Sequence, residues 1–398
     1  MKRRLPITSA KIQPDATENT LHFVVEESRT NKIDGELEWV EGGAQTAAQV
    51  VHAAISGPRQ LSEQKLAAIT IIHERESRSI EIVYRIAHVI TDGMGSSTLV
   101  RTFLNCMAMG QSQAQEKDLA EQLSMALSCD FLLASPTESL AKRRWRSVVA
   151  RIISQRSLMA MQEGRSFPTR ATHTSSSGVT PAKSREVLLK LPRSLSRAIL
   201  RTCRVQNIGF GHALPVINQI ALSRFLQRRL VQGRISETDW RNQAHQPTHT
   251  LSPVNIRSML NKDWLAAGGN HEMNIAFSVA FATLPYLPAP RPRSGLDSTG
   301  APPFSSLLSR SRFLLRCKQT KRQMDAWNSR PLLPELREEQ SRGFEASRRR
   351  DALNWRHGQN IDEHEPAATP NEGGIALAYT SGSLGDVSAF CISLRTRA

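Results

Sequence analysis

No apolar run in this sequence approaches the ~18 residues that a membrane-crossing helix needs, so no span is expected. The opening Met1-Lys-Arg-Arg-Leu-Pro has the charge of a signal peptide without the apolar stretch that must follow it. A cytoplasmic protein is expected. Cysteine is sparse and scattered: Cys106, Cys129, Cys203, Cys317 and Cys391 form no C-x-x-C pair. Neither a disulfide framework nor a zinc site is indicated, and free thiols are the reading. No G-x-S-x-G occurs, which argues against an α/β-hydrolase. Gly209-Phe-Gly211 is half of a dinucleotide fingerprint without its third glycine. His245 and His249 have the spacing of two metal ligands on a helix, but Pro247 between them breaks that helix, so no metal is expected.

Acidic residues are the next shortage. With 36 Asp and Glu against 52 Lys and Arg, the net charge is +16. Such a surplus favours anionic partners: nucleic acid, an acidic membrane surface or a phosphorylated cofactor. The basic clusters Lys2–Arg4, Lys142–Arg146 and Arg348–Arg350 are far apart and carry little aromatic interleaving. Without a zinc-finger or recognition-helix pattern they read as solvated faces, and nucleic-acid binding is not expected. Trp145 and Trp327, beside basic residues, are expected to be half-buried packing residues rather than stacking platforms.

What is present is a 398-residue chain, long enough for two ordinary domains, with 39% apolar residues. Leu21–Val25 and Leu66–His73 read as strands, and Thr46–Ile55 as a helix. Ser79 to His88 alternates: Ile80, Ile82, Tyr84 and Ile86 share one face, with Glu81, Val83, Arg85 and Ala87 on the other. Thr91 to Gly95 is turn chemistry, and a helix with Leu99, Phe103 and Cys106 on one side follows. Helices are expected over 117–127 and 137–161. The Ser/Thr/Gly/Pro-rich stretch 164–185 reads as a linker between lobes at 1–163 and 186–398. Beyond it come a strand at 186–191, a helix capped near Ser194, and a helix over 213–230 with Ile217, Ile220, Ala221 and Phe225 on one face. A Pro-rich excursion at 285–303, a basic amphipathic helix at 304–327 and a polar loop at 335–372 complete the reading.

His88 lies where the alternating strand meets the turn. An imidazole at such a junction, with a pKa near working pH, suits a general base that removes a proton from an attacking hydroxyl or amine. Asp92, four residues on, could stiffen the turn by pairing with a cation, and Gly93 would permit a close backbone approach or a positive φ.

His88-Val-Ile-Thr-Asp92-Gly93 resembles the HxxxDG motif of the chloramphenicol-acetyltransferase-like superfamily, which includes plant BAHD acyltransferases, peptide-synthetase condensation domains and fungal O-acetyltransferases such as trichothecene 15-O-acetyltransferase. Val254-Asn255-Ile256-Arg257 resembles the V-N-x-R segment, whose arginine pairs with the motif aspartate. Ser381-Gly-Ser-Leu-Gly385 resembles the small-residue turn beside the reaction centre. The resemblance implies a two-lobed mixed α/β fold with His88 as base, Asp92, Gly93 and Arg257 shaping its loop, and Ser383 or the Gly385 backbone as oxyanion donor. It implies acetyl-CoA or another acyl-CoA as co-substrate, a small secondary-metabolite alcohol as acceptor, no acyl-enzyme and a monomer. Ala87 stands where condensation domains carry a first histidine, the DFGWG motif is absent, and the chain is short at both ends relative to the family. An inactive relative or binding protein, and a condensation-type amide synthase fed by a carrier-bound thioester, remain the alternatives.

Overall fold

The computed structural model describes residues 1–15, 17, 20–31, 34–42, 44–56, 60–74, 79–109, 118–133, 138–161, 164–165, 191–287, 295–343 and 387–395. In chain order these form β1 (Lys11–Asp15), β2 (Thr20–Val24), β3 (Leu37–Glu41), α1 (Ala44–Ser56), β4 (Ala67–Glu74), β5 (Ser79–Ala87) and α2 (Gly93–Met109). Next come α3 (Leu119–Met125), α4 (Cys129–Leu133), α5 (Leu140–Met159), α6 (Arg193–Val205), α7 (Phe210–Val231) and α8 (Glu237–Ala244). The remainder is β6 (Thr248–Asn255), α9 (Lys262–Ala266), β7 (Phe277–Leu284), α10 (Phe304–Leu307), α11 (Arg310–Asn328) and β8 (Val387–Arg395).

The main sheet has the order β3-β4-β5-β8. β3 runs parallel to β4, and α1 supplies the crossover that parallel pairing demands. β4 and β8 both pair antiparallel with β5, and β8 sets Val387 opposite Ala87. β5 is therefore an interior strand. Ile82, Tyr84 and Ile86 pack with Leu66 and Leu99 on one face. Val83 packs with Ala47, Val51 and Ile72 on the other, so α1 covers the second face too. Arg85 is buried on that face, where its Nη2 donates to Thr70 Oγ1 at 2.7 Å, the kind of partner a buried charge requires.

The Tyr84 and Phe103 rings meet edge-on with centroids 5.4 Å apart, which ties α2 to β5. Leu99 completes that contact, but Cys106 is exposed rather than part of the packed face.

β6 and β7 form a separate antiparallel pair. Strict alternation buries Ser278, Ala280, Ala282 and Leu284 of β7. Ala280 and Ala282 pack with Ile256, Trp264, Met324, Trp327 and Leu336, whereas Leu284 joins Val216, Ile220 and Cys317 against α7 and α11. The buried face of α7 is partly polar: Gln219, Ser223 and Gln227 are all buried, while Ala221 is exposed. Arg165, inside the expected linker, is buried and donates to Ser223 Oγ at 2.8 Å and to the Gln243 and Ala244 carbonyls. Residues 186–190 of the expected strand and most of the 164–185 linker lie outside the described residues.

Several expectations give way. The cap of α6 is Pro192, not Ser194. The basic helix at 304–327 is split into α10 and α11, because Ser309 caps a new start by accepting from the Arg312 N–H. Residues 335–343 of the expected polar loop are helical, and Leu336 there is fully buried. Trp327 is buried, but Trp145 is 68% exposed and not a packing residue.

Candidate active site

His88 sits in the turn just past the end of β5, held between Ala87, whose N–H donates to the Leu66 carbonyl at 2.8 Å, and Ile90, whose N–H donates to the Ala87 carbonyl at 3.2 Å. Its side chain is half-buried. Among the described residues no hydrogen bond engages its ring.

Asp92 closes the turn and caps α2. Its Oδ1 accepts from the Met94 N–H at 3.0 Å and the Gly95 N–H at 2.8 Å, satisfying two of the free donors of the helix's first turn. The same carboxylate receives Arg257 in a two-pronged fork: Nη2 to Oδ1 at 2.8 Å and Nη1 to Oδ2 at 3.0 Å. A fifth donor, the Ala276 N–H, reaches Oδ2 at 3.0 Å. Asp92 and Arg257 are both buried. Burial of this kind is tolerable because every lone-pair direction of the carboxylate is occupied.

Arg257 lies two residues past the end of β6, and Asn255, the last residue of that strand, aims it. The Asn255 Oδ1 accepts from the Arg257 backbone N–H at 3.0 Å and lies 3.4 Å from Nη1. Nη2 also donates to the Asn274 carbonyl at 2.8 Å, just before β7. Residues 165 positions apart are thus drawn together, joining the β5–α2 turn to the β6–β7 pair.

Gly93 has neither role expected of it. Its φ is not positive, and a Cβ placed there would meet nothing within 4 Å. The crowded glycine is Gly95, where a Cβ would fall 2.5 Å from Thr91 Oγ1 and 3.4 Å from the Asn274 carbonyl oxygen. Asn274 is a further residue to which reasoning from sequence gave no role, and Asn255 entered it only as part of the V-N-x-R segment. The Asn274 side chain is buried with neither amide atom hydrogen-bonded among the described residues. Only its place one strand-end away from Arg257 would have pointed to it. Ser383 and Gly385 lie outside the described residues; the strand that follows them begins with Val387 opposite Ala87.

A groove of about 330 Å³ runs along the outer side of α2, lined by Ser96, Ser97, Val100, Arg101, Leu104 and Asn105. Arg101 Nη2 lies 3.0 Å from His271 Nδ1. Burial pushes the nearby Cys129 thiol up to about 11, so it is not ionised at neutral pH and makes a poor nucleophile. Among the described residues no cluster of three or more metal-ligating side chains occurs, and no helix is long and apolar enough to cross a membrane. His249 is buried with Nδ1 2.9 Å from Thr283 Oγ1.

No family model matches the sequence, and no curated protein is similar to it. Solved structures are similar. The first condensation domain of the calcium-dependent antibiotic synthetase, in complex with a substrate analogue, matches at 12% identity over 98% of this chain and 74% of that one, with a TM-score of 0.52. Polyketide synthase associated protein 5 from Mycobacterium tuberculosis matches at 12% identity over 84% of this chain and 65% of that one, with a TM-score of 0.46. The chain therefore spans just under two thirds of the length of the latter. The condensation domain of the Monacolin K polyketide synthase matches at 9% identity over 100% and 76%, with a TM-score of 0.42. The first of these likenesses shows the architecture: a mixed α/β fold of the condensation-domain type.

Proposed function

We propose that the protein is an acyltransferase that moves an acyl group from a thioester to a small-molecule alcohol, with His88 as general base. The observation that carries the reading is the buried Asp92–Arg257 fork at the end of the turn that begins with a half-buried His88, whose ring makes no hydrogen bond among the described residues. A fully bonded, water-excluded clasp fixes the turn, and the turn in turn fixes the base. That is the preorganisation general-base catalysis needs. The condensation-type fold supports the same reading.

In the reaction, a His88 ring nitrogen takes the proton of the acceptor hydroxyl as its oxygen bonds to the thioester carbonyl carbon. The tetrahedral intermediate places negative charge on the former carbonyl oxygen. As it collapses the C–S bond breaks, and the imidazolium returns its proton to the departing thiolate. Ester and free thiol are the products, and no enzyme-bound acyl group forms. The oxyanion needs a donor. Ser383 and the Gly385 N–H are candidates because the strand after them starts beside Ala87, and the Asn274 amide, with no hydrogen-bond partner among the described residues, is a third. Asp92 and Arg257 act through His88 and do not touch the reacting atoms. The donor we favour is an acyl-CoA, acetyl-CoA first, and the acceptor a secondary-metabolite alcohol.

The test is release of free thiol from acetyl-CoA and longer acyl-CoAs in the presence of a panel of alcohols, read by a thiol-reactive dye with product mass confirmed. Acceptor-dependent release supports the proposal. Turnover only with carrier-loaded acyl groups and an amine would replace it with amide formation. No turnover with either donor class would remove catalysis.

A further inference from the structure

Helix α5 turns its apolar side away from the protein. Its inward side carries Arg146, Ser147, Ala150, Ile153, Ser154 and Ser157; Ala150 and Ser154 are buried, Arg146 pairs with Glu335, and Ser147 Oγ donates to Glu339. On the opposite side Trp145, Val148, Ile152 and Met159 are at least half exposed. At 100° per residue these four fall within an arc of roughly 60°. A stripe of large apolar side chains facing water marks an interaction surface. Cations border it on both sides: Arg144 and Arg151 on one, Lys142 and Arg156 on the other. The helix holds six Lys and Arg residues and no Asp or Glu. Lys142 and Arg151 keep protein carboxylates, whereas Arg144 and Arg156 have no ion pair among the described residues.

We propose that α5 is a membrane-surface helix that lies in the plane of an anionic phospholipid bilayer. Trp145, Val148, Ile152 and Met159 enter the boundary of the acyl chains, and Arg144 and Arg156, which hold no described carboxylate, meet lipid phosphates. An apolar stripe with basic borders and an interfacial tryptophan is the pattern such helices show. Twenty residues give a contact about 30 Å long. The charge argues against a second copy of the chain as the occupant, because a two-fold contact through this stripe would set the same cations against one another. The net charge of +16 adds attraction to any anionic surface. This inference is independent of the acyl-transfer reading, and each can fail alone.

The test is co-sedimentation of the full chain with vesicles of phosphatidylcholine alone or with about one third phosphatidylserine, at low and high salt. Binding to the mixed vesicles that salt weakens is expected, with little binding to phosphatidylcholine alone. Arg144→Gln and Arg156→Gln should each weaken binding about fivefold. Trp145→Ser with Ile152→Ser should weaken it by at least about tenfold. These side chains point outward, so the variants should keep the wild-type unfolding midpoint. Phosphatidylserine-independent binding, or equal binding by all variants, would overturn the proposal. So would a dimer, seen by light scattering, that the serine variant dissolves.

Discussion

Removing Arg257 tests the clasp most cleanly, because the partners left behind can be counted. Arg257→Ala deletes both fork bonds to Asp92 and the bond to the Asn274 carbonyl. The buried carboxylate keeps three backbone donors, Met94, Gly95 and Ala276. Breaking a buried pair typically costs about 3–5 kcal/mol, and those three donors put this variant near 3 kcal/mol. Asp92→Ala strands the arginine and also removes the α2 cap, worth about 1 kcal/mol, so it should cost about 4–5 kcal/mol. In the double variant no charge is left unpaired. Its cost should fall short of the sum by about 2–3 kcal/mol. The measurement is urea unfolding followed by far-UV circular dichroism for all four proteins. The coupling should change little between low and high salt, because the pair is buried. A double variant whose cost equals the sum within about 0.5 kcal/mol would refute the reasoning.

The two glycines of the turn should behave oppositely. Gly93→Ala should be neutral or slightly stabilising, since a helix gains from alanine and nothing is nearby. Gly95→Ala should cost about 1–3 kcal/mol through its clash with Thr91, and Thr91→Ala should recover part of that in thermal unfolding. Alkaline stability should fall from about pH 9 upward. Burial raises the Cys129 and Cys317 thiols from 9.0 to about 11 in the folded protein, so between these values only the unfolded chain loses the protons. Denaturant midpoints measured from pH 8 to 11 check this, and a flat profile would contradict it. Peptide mapping after brief alkylation at pH 8 should find Cys106 modified well ahead of Cys129, Cys203 and Cys317. Leu99→Ala should cost about 2–5 kcal/mol, because its side chain fills the junction of α2 with β5.

Periodicity carried the elements whose burial follows their own pattern. β4, β5, α1, α5 and α7 lie within a few residues of where alternation, helical spacing and breakers put them. β1 and β3 were invisible: Lys11–Asp15 contains Pro14, and Leu37–Glu41 has charge at two of five positions, so neighbours rather than local preference make them strands. The second face of β5 reads as polar because of Glu81 and Arg85; Thr70 and Glu38 supply the partners that let Arg85 be buried, and these come from other strands. Trp145 misled for a related reason, since composition does not reveal which way a helix turns. At the candidate site, His88 and its turn followed from local pattern. The nearness of Arg257 to Asp92 followed only from the resemblance, as no local signal spans 165 positions. Gly93 took credit for a steric role that belongs to Gly95, because packing against Thr91 and Asn274 exists only in three dimensions.

The most direct measurement is acceptor-dependent thiol release by His88→Ala beside the wild-type protein. The His88 ring makes no described hydrogen bond, so the variant should fold with nearly unchanged stability. Its turnover should drop by about two to four orders of magnitude if the imidazole carries the proton. A folded variant that releases thiol at the wild-type rate would contradict the account.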